Sequence, residues 1–363
     1  MNDKLKNIIV SVVFSVFFIG AFIAVLFKAP DEYSVSERRK LNLFPEISAE
    51  SVFDGSFFND FANYAADQLP LREPLRKIKA FTMYSILRQK DNNGIYVVDG
   101  QVAKIEHPLR ENSVIQATEK IEYICEKYLQ EANVYCSIIP DKNYFLAQNN
   151  GYLSIDYDRM MEVFLQNLDG VSYIDIFDTL EISDYYPTDT HWDQAKILDT
   201  AKEISTQMGF NLNAEYTENI LTPFYGVYYG QSALSLKPVT MTYLTNEYTK
   251  ESTAKNFETG KEIPIYTVEK FDDTDPYDIF LDGAAALIEI NNPLVSNDKE
   301  LIIFRDSFGS SIAPLFLEAY EKITLIDTRY ISSDLLANYV DFGNQDVLFL
   351  YNTAVLNNSN MLK

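Results

Sequence analysis

Histidine and tryptophan are almost missing from this chain: two and one in 363 residues. Cysteine is as rare, with only Cys125 and Cys136. A zinc centre wants more such ligands, and two cysteines at this spacing make no disulfide framework. No metal and no cofactor is expected. Cys125 falls on a helical pattern and Cys136 on a strand pattern, so both read as buried thiols. A single bridge stays open if the chain is exported. Basic residues are scarce too: 30 Lys and Arg stand against 53 Asp and Glu, a formal net charge of -23. Nucleic-acid binding rests on clustered Lys and Arg, so the balance argues against that partner class. It argues on the same ground against docking on anionic lipid through a basic patch. Apolar and aromatic residues are plentiful, with 25 Tyr and 24 Phe, enough for a sizeable core.

One long apolar run exists. Ile8 to Phe27 carries no charge, and Ser11, Ser15 and Gly20 are its only breaks. About twenty such residues let a helix cross the hydrocarbon of a bilayer. Lys4 and Lys6 precede it and favour an inside N-terminus, although Asp3 and Lys28 dilute the bias. A cleaved signal peptide is the rival, but no small-x-small site follows Leu26. The reading is an uncleaved single-pass anchor over 1–28, with the rest of the chain extracytoplasmic.

Residues 29–112 read as a linker and an N-terminal helical and hairpin region. Phe53, Phe57, Phe58 and Phe61 recur at helical spacing, as do Leu75, Ile78, Phe81 and Leu87. Ile95–Val98, Asp99-Gly100 and Val102–Ile105 predict a hairpin. Residues 113–363 alternate short apolar strands with helices. Strands are expected at 134–139, 171–176, 301–304, 323–326 and 347–351. Helices are expected at 113–129, 158–167, 194–208, 311–320 and 334–339. That rhythm predicts an α/β domain with a mostly parallel sheet. Residues 211–299 break it, being rich in Tyr, Thr and acidic residues with short alternating runs such as 238–245 and 263–268. They read as an inserted β-rich segment, or loops over the site.

The chemistry concentrates in two places. Tyr185-Tyr186-Pro187-Thr188-Asp189-Thr190-His191-Trp192-Asp193 holds one histidine and the only tryptophan. Asp189 and His191 lie two apart, so a carboxylate can reach one imidazole nitrogen and leave the other as a base. Its expected client is Ser307, just past the apolar strand and before Phe308-Gly309. A serine at a strand-to-helix turn sits at the carboxyl end of the sheet, where open α/β folds place ligands. Ser307, His191 and Asp189 together suit acyl transfer. Taken singly each motif is weak. Asp-x-His also makes a capped turn, and Asp306-Ser307 also makes a helix cap. His107, before Pro108, reads as a loop residue.

Several motifs occur in order along the chain. They are Ser36, Glu37, Arg38, Leu41, Phe44 and Pro45; Asp67-Gln68-Leu69-Pro70-Leu71-Arg72; Pro140-Asp141-Lys142-Asn143-Tyr144; Thr188-Asp189-Thr190-His191-Trp192; and Asp306-Ser307-Phe308-Gly309. Phe224-Tyr225-Gly226, Tyr277 to Gly283 and Asp327-Thr328-Arg329-Tyr330 join them. The set resembles the bacterial DHHW protein family, which is related to the alginate O-acetyltransferases with their SGNH-hydrolase-like domain. Thr190 departs from the naming motif, which has His there. The resemblance implies Ser307 as nucleophile, His191 as base and Asp189 as its partner. No Gly-Asn pair of the usual oxyanion blocks is evident. Gly283, Asn352, Tyr186 and Arg329 are the candidates for oxyanion or substrate contacts.

The expectation is a membrane-anchored extracytoplasmic O-acetyltransferase, or esterase, acting on a cell-surface polysaccharide through an acyl-serine. One span cannot carry acetyl groups outward, so the resemblance and the topology together imply a multi-span membrane partner as acetyl donor. The alternative is a non-catalytic glycan-binding or export-complex protein with a relic triad.

Overall fold

The computed structural model describes Asp3–Lys363 and divides into two compact units, 1–92 with 229–235, and 93–228 with 236–363. The first unit begins with α1 (Asp3–Phe27), long and apolar enough to cross a membrane. Three short helices follow: α2 (Ala49–Phe53), α3 (Ser56–Asp67) and α4 (Arg72–Phe81). Ser48 caps α2 through a reciprocal bond with Ser51. Asp67 closes α3 and accepts from Arg39 and from Asn42. Those donors hold its carboxyl well below the usual range although burial pushes the other way.

The second unit opens with the expected hairpin, β1 (Ile95–Val98) and β2 (Gln101–Lys104), turning at Asp99-Gly100. Both turn residues take positive φ, which glycine and aspartate tolerate best. Then come α5 (Glu111–Tyr128), β3 (Asn133–Ile139), α6 (Lys142–Asn150), α7 (Tyr157–Gln166) and β4 (Ser172–Tyr173). After α8 (Leu198–Gln207) a long hairpin forms from β5 (Thr217–Phe224) and β6 (Val239–Thr245). Among the elements that follow are β7 (Thr253–Asn256), β8 (Lys261–Ile263), β9 (Leu287–Asn291), β10 (Glu300–Arg305), α9 (Phe308–Ile312), β11 (Lys322–Ile326) and β12 (Asp346–Asn352).

Eight strands make one sheet in the order β8-β7-β9-β11-β10-β12-β3-β4. From β11 to β4 every pairing is parallel, and β8, β7 and β9 extend that core antiparallel. The α/β class, with a mostly parallel sheet flanked by helices, therefore holds. Alternate residues of β10 serve opposite faces. Leu301 and Ile303 join one core cluster, Ile302 and Phe304 the other. Both faces are covered, which is why the parallel strands read as unbroken apolar runs.

Local detail differs in five places. The helix expected at 334–339 is a 3-10 helix over Ser333–Asn338, and the strand expected at 171–176 pairs only at Ser172–Tyr173. The helix expected at 311–320 is α9 followed by a 3-10 turn over Ala313–Phe316, because Pro314 lacks the N–H that an α-helix needs. The helix expected from Gln194 starts as a 3-10 turn and becomes α only at Leu198. The run at 263–268 stops as a strand at Ile263, where Pro264 offers no ladder donor.

Candidate active site

β10 ends at Arg305, and the chain turns through Asp306 and Ser307 into α9. Asp306 is buried and makes this turn. One carboxylate oxygen accepts the Phe308 N–H at 3.0 Å, and the other accepts the Asn352 N–H at 2.7 Å from the end of β12. Two strand ends are thereby tied to one side chain. Ser307 is only half-buried, while its neighbours from Leu301 to Phe316 are buried. Its hydroxyl lies 2.7 Å from His191 Nε2.

His191 is held from three sides. Its Nδ1–H donates to Asp189 Oδ1 at 2.6 Å, and its own backbone N–H donates to the same oxygen at 3.0 Å. That double contact is what a two-residue Asp-x-His spacing permits. The other oxygen of Asp189 accepts the Val227 N–H at 2.7 Å. The Tyr277 ring stacks on the imidazole, centroids 3.7 Å apart and planes 7° apart. A carboxylate on Nδ1 fixes the tautomer with Nε2 free of hydrogen, so Nε2 accepts from the serine hydroxyl. Asp189 is fully buried and His191 nearly so. Water competes little for these bonds.

A second layer holds the first. Trp192 Nε1–H and the Tyr277 hydroxyl both bond Ser311 Oγ on α9, at 2.8 and 2.7 Å. Gln194 donates to the Ser311 carbonyl and accepts from Leu244 N–H on β6. The lone tryptophan is thus a buried brace between the histidine loop and the serine helix, packed edge-on against Phe308. Lys142, at the start of α6, is buried and its ammonium donates to the carbonyls of Tyr186, Pro187 and Asp189 at 2.9, 3.0 and 3.1 Å. All three of its protons are used, and all on the loop that carries the aspartate and histidine.

The other four sequence candidates are committed elsewhere. Gly283 donates its N–H to the Phe280 carbonyl inside its own turn, where it takes positive φ. Asn352 donates its N–H to Asp306 and its amide to the Ile139 carbonyl, so it ties strand ends together. Tyr186 is buried, its hydroxyl bonded to Asp193 and to the Thr242 carbonyl. Arg329 makes a two-point bond to Asp327 and is mostly buried. Each of the four thus has partners away from Ser307. The Phe308 and Gly309 amides are also taken, by Asp306. The Ser307 N–H, by contrast, makes no hydrogen bond to any described residue and lies beside the hydroxyl it would serve. His107 is exposed, with Nδ1 bonded to the Ser154 carbonyl. Cys125 and Cys136 are both free thiols, and burial pushes both pKa values up.

Tyr277, Lys142, Ser311 and the Val227 amide were not singled out as site residues by sequence. Only the clustering of motifs around Lys142 and Tyr277 pointed their way. Gly226 shows how tight the cradle is. A Cβ there would lie 2.3 Å from the Thr188 carbonyl oxygen and 2.5 Å from Asp189 Cβ. Gly226→Ala is expected to cost about 1–3 kcal/mol through overpacking. It should also weaken the Val227 bond to Asp189. Urea denaturation checks the first effect, and an unchanged midpoint would refute it.

The DHHW protein family matches residues 166–326. A crystal structure of a DHHW family protein from Eubacterium siraeum has a TM-score of 0.60 and 21% identity, covering 75% of this chain and 94% of that one. Bacillus cereus PatB1 gives a TM-score of 0.57 and 20% identity, covering 73% and 97%. The same protein with a sulfonyl adduct gives 0.56 and 19%, covering 72% and 97%. These likenesses are of fold. No curated protein matches the chain. The match to the DHHW protein family runs from the end of α7 through the Asp189–His191 loop and past Ser307 to the end of β11, so Asp189, His191, Tyr277 and Ser307 all lie within the matched segment.

Proposed function

We propose that this protein is a membrane-anchored, extracytoplasmic serine acyltransferase that moves acetyl groups onto, or off, a cell-surface polysaccharide. The observation that carries this reading is the 2.7 Å contact between Ser307 Oγ and His191 Nε2, with Asp189 on the opposite nitrogen. In this reading Ser307 Oγ attacks an acetyl ester carbonyl while Nε2 takes the hydroxyl proton. The donor oxygen leaves with that proton, and acetyl-Ser307 remains. A sugar hydroxyl, or water, then gives its proton to Nε2 and attacks the acyl carbon, which restores Ser307. The Ser307 N–H is the donor available to the developing oxyanion. The motif resemblance to O-acetyltransferases supports acetyl as the group and a polysaccharide as acceptor. The apolar α1 supports the anchor, and one span calls for a multi-span membrane partner as acetyl donor.

The test is chemical. The purified protein is treated with p-nitrophenyl acetate, and separately with an aryl sulfonyl fluoride, and its intact mass is read. One acetyl or one sulfonyl group is expected on Ser307, and none on Ser307→Ala. A folded protein that forms neither adduct would sink the acyl-serine reading.

A further inference from the structure

Helix α4 turns two of its charges inward: the side chains of Arg72 and Arg76 are only 15% and 14% exposed, while Lys77 and Lys79 are exposed beside the apolar face. Arg72 pairs with Glu37 and Asp67. Arg76 pairs with Glu37 and donates to the Gly230 carbonyl at 2.8 Å. The opposite face carries Leu71, Leu75, Ile78 and Phe81, at helical spacing, and it points out of the unit. Leu71 is 75% exposed and Ile78 61%. The apolar surface continues beyond α4. Phe53 is 91% exposed, and Phe58, Ile86 and Leu87 are exposed as well. A water-facing unit of this size would bury that surface and solvate the arginines.

The depth of this surface follows from its contacts with α1. The Tyr64 hydroxyl of α3 bonds the Val25 carbonyl at 3.0 Å, and the Phe61 ring lies 6.3 Å from that of Phe22. Phe22 precedes the end of α1 at Phe27 by five residues, about 7–8 Å along the axis at about 1.5 Å per residue. Where α1 crosses a bilayer, α3 and α4 therefore start at the depth of its outer acyl boundary. A groove of about 520 Å³ runs beside α1, lined by Phe17, Phe18, Ala21, Leu71 and Leu75 among others.

We propose that the outward face of α2–α4, with this groove, is a lipid-embedded collar that takes the acyl chains of the bilayer spanned by α1. The inference rests on the anchored reading of α1. Acyl chains fit better than one partner helix, because the apolar face spreads over three helices and the turn after them, wider than a single helix would cover. The collar fixes the first unit at the membrane surface with its arginines turned away from lipid, the arrangement expected of an interfacial amphipathic segment.

The test uses the full chain in vesicles of phosphatidylethanolamine and phosphatidylglycerol doped with a phospholipid bearing a diazirine in mid-chain. After illumination, adducts are mapped by mass spectrometry. Adducts are expected on α1 and also on 52–58 and 71–87. With Leu71, Leu75, Ile78 and Phe81 all replaced by Ser, adducts on 71–87 should fall to background while α1 stays labelled. Label confined to α1 in the unaltered chain would overturn the collar and leave the anchor intact. Release of the protein by alkaline carbonate, with α1 unlabelled, would overturn the anchor itself. A photocrosslinking residue in place of Ile78 that joins a second protein in cells, rather than lipid, would overturn acyl chains as the occupant.

Discussion

Ser307→Ala is expected to lower acyl transfer by a factor on the order of 10⁴ or more, since the groups of such a relay act as a unit. His191→Ala should do about the same, and the double variant should be no worse than either. Non-additivity is the signature of one shared step. Stability should barely move. Ser307 is half-buried and its hydroxyl bonds only His191, so its loss falls in the range of about 1 kcal/mol that a single hydrogen bond contributes. Initial rates with p-nitrophenyl acetate, beside thermal unfolding of each variant, separate chemistry from folding. A Ser307→Ala rate within about tenfold of the parent would place the nucleophile elsewhere. The same substitution in cells, with protein level unchanged, should remove acetyl from the surface polymer. An unchanged polymer beside a normal in vitro loss would favour another acceptor.

Lys142→Met should produce the second largest loss, although Lys142 does not touch the reacting atoms. Methionine fills much of the space but leaves the carbonyls of Tyr186, Pro187 and Asp189 without donors. Each unmet buried polar group costs about 1–3 kcal/mol, and some relaxation will recover part of it. A net destabilisation of about 2–4 kcal/mol is expected. The loop would shift, and a displacement of about 1 Å can cost about a hundredfold in rate. A merely structural lysine would leave the acylation rate of the folded fraction unchanged, so that rate is the deciding readout.

The same residue gives a pH signature. Burial pushes the Lys142 pKa down to about 7, with the Asp189 charge pulling the other way. In the unfolded chain lysine keeps its proton to about pH 10.4. Between about pH 7 and pH 10 the unfolded chain thus holds a proton that the folded chain has released. Stability contributed by this site rises with pH across that window and is lowest below it. Lys142→Met removes the difference. Urea midpoints of parent and variant at pH 6, 8 and 9.5 should therefore separate further as pH rises. Parallel curves would show that the ammonium keeps its proton through the window.

Part of this site was legible in the chain. Asp189 and His191 are two residues apart, and a loop of that length sets their contact almost by itself. Ser307 was legible as a hydroxyl between an apolar strand and a helix start. The contacts that hold them were not. Tyr277 comes from the inserted β-rich segment, Lys142 from the first turn of α6, and the Val227 amide from the residues after β5. Nothing local in those stretches announces an imidazole. The partners of Gly283, Asn352, Tyr186 and Arg329 were hidden for a related reason. Whether a backbone amide or a guanidinium is free depends on which acceptor the fold brings to it, and each already had one.

Composition and periodicity alone determined the apolar α1, the alternation of strands and helices, and the chemical types in the site. These are local or additive properties: run length, pattern and charge. Tertiary structure decided which groups meet. Ser307 and His191 lie 116 residues apart, and they touch because a parallel sheet brings its strand ends to one edge, where Asp306 ties β10 to β12. It also decided which face of α4 looks outward. The helix is amphipathic in either orientation, and only the placement of Glu37 and Asp67 turns its arginines in and its leucines out.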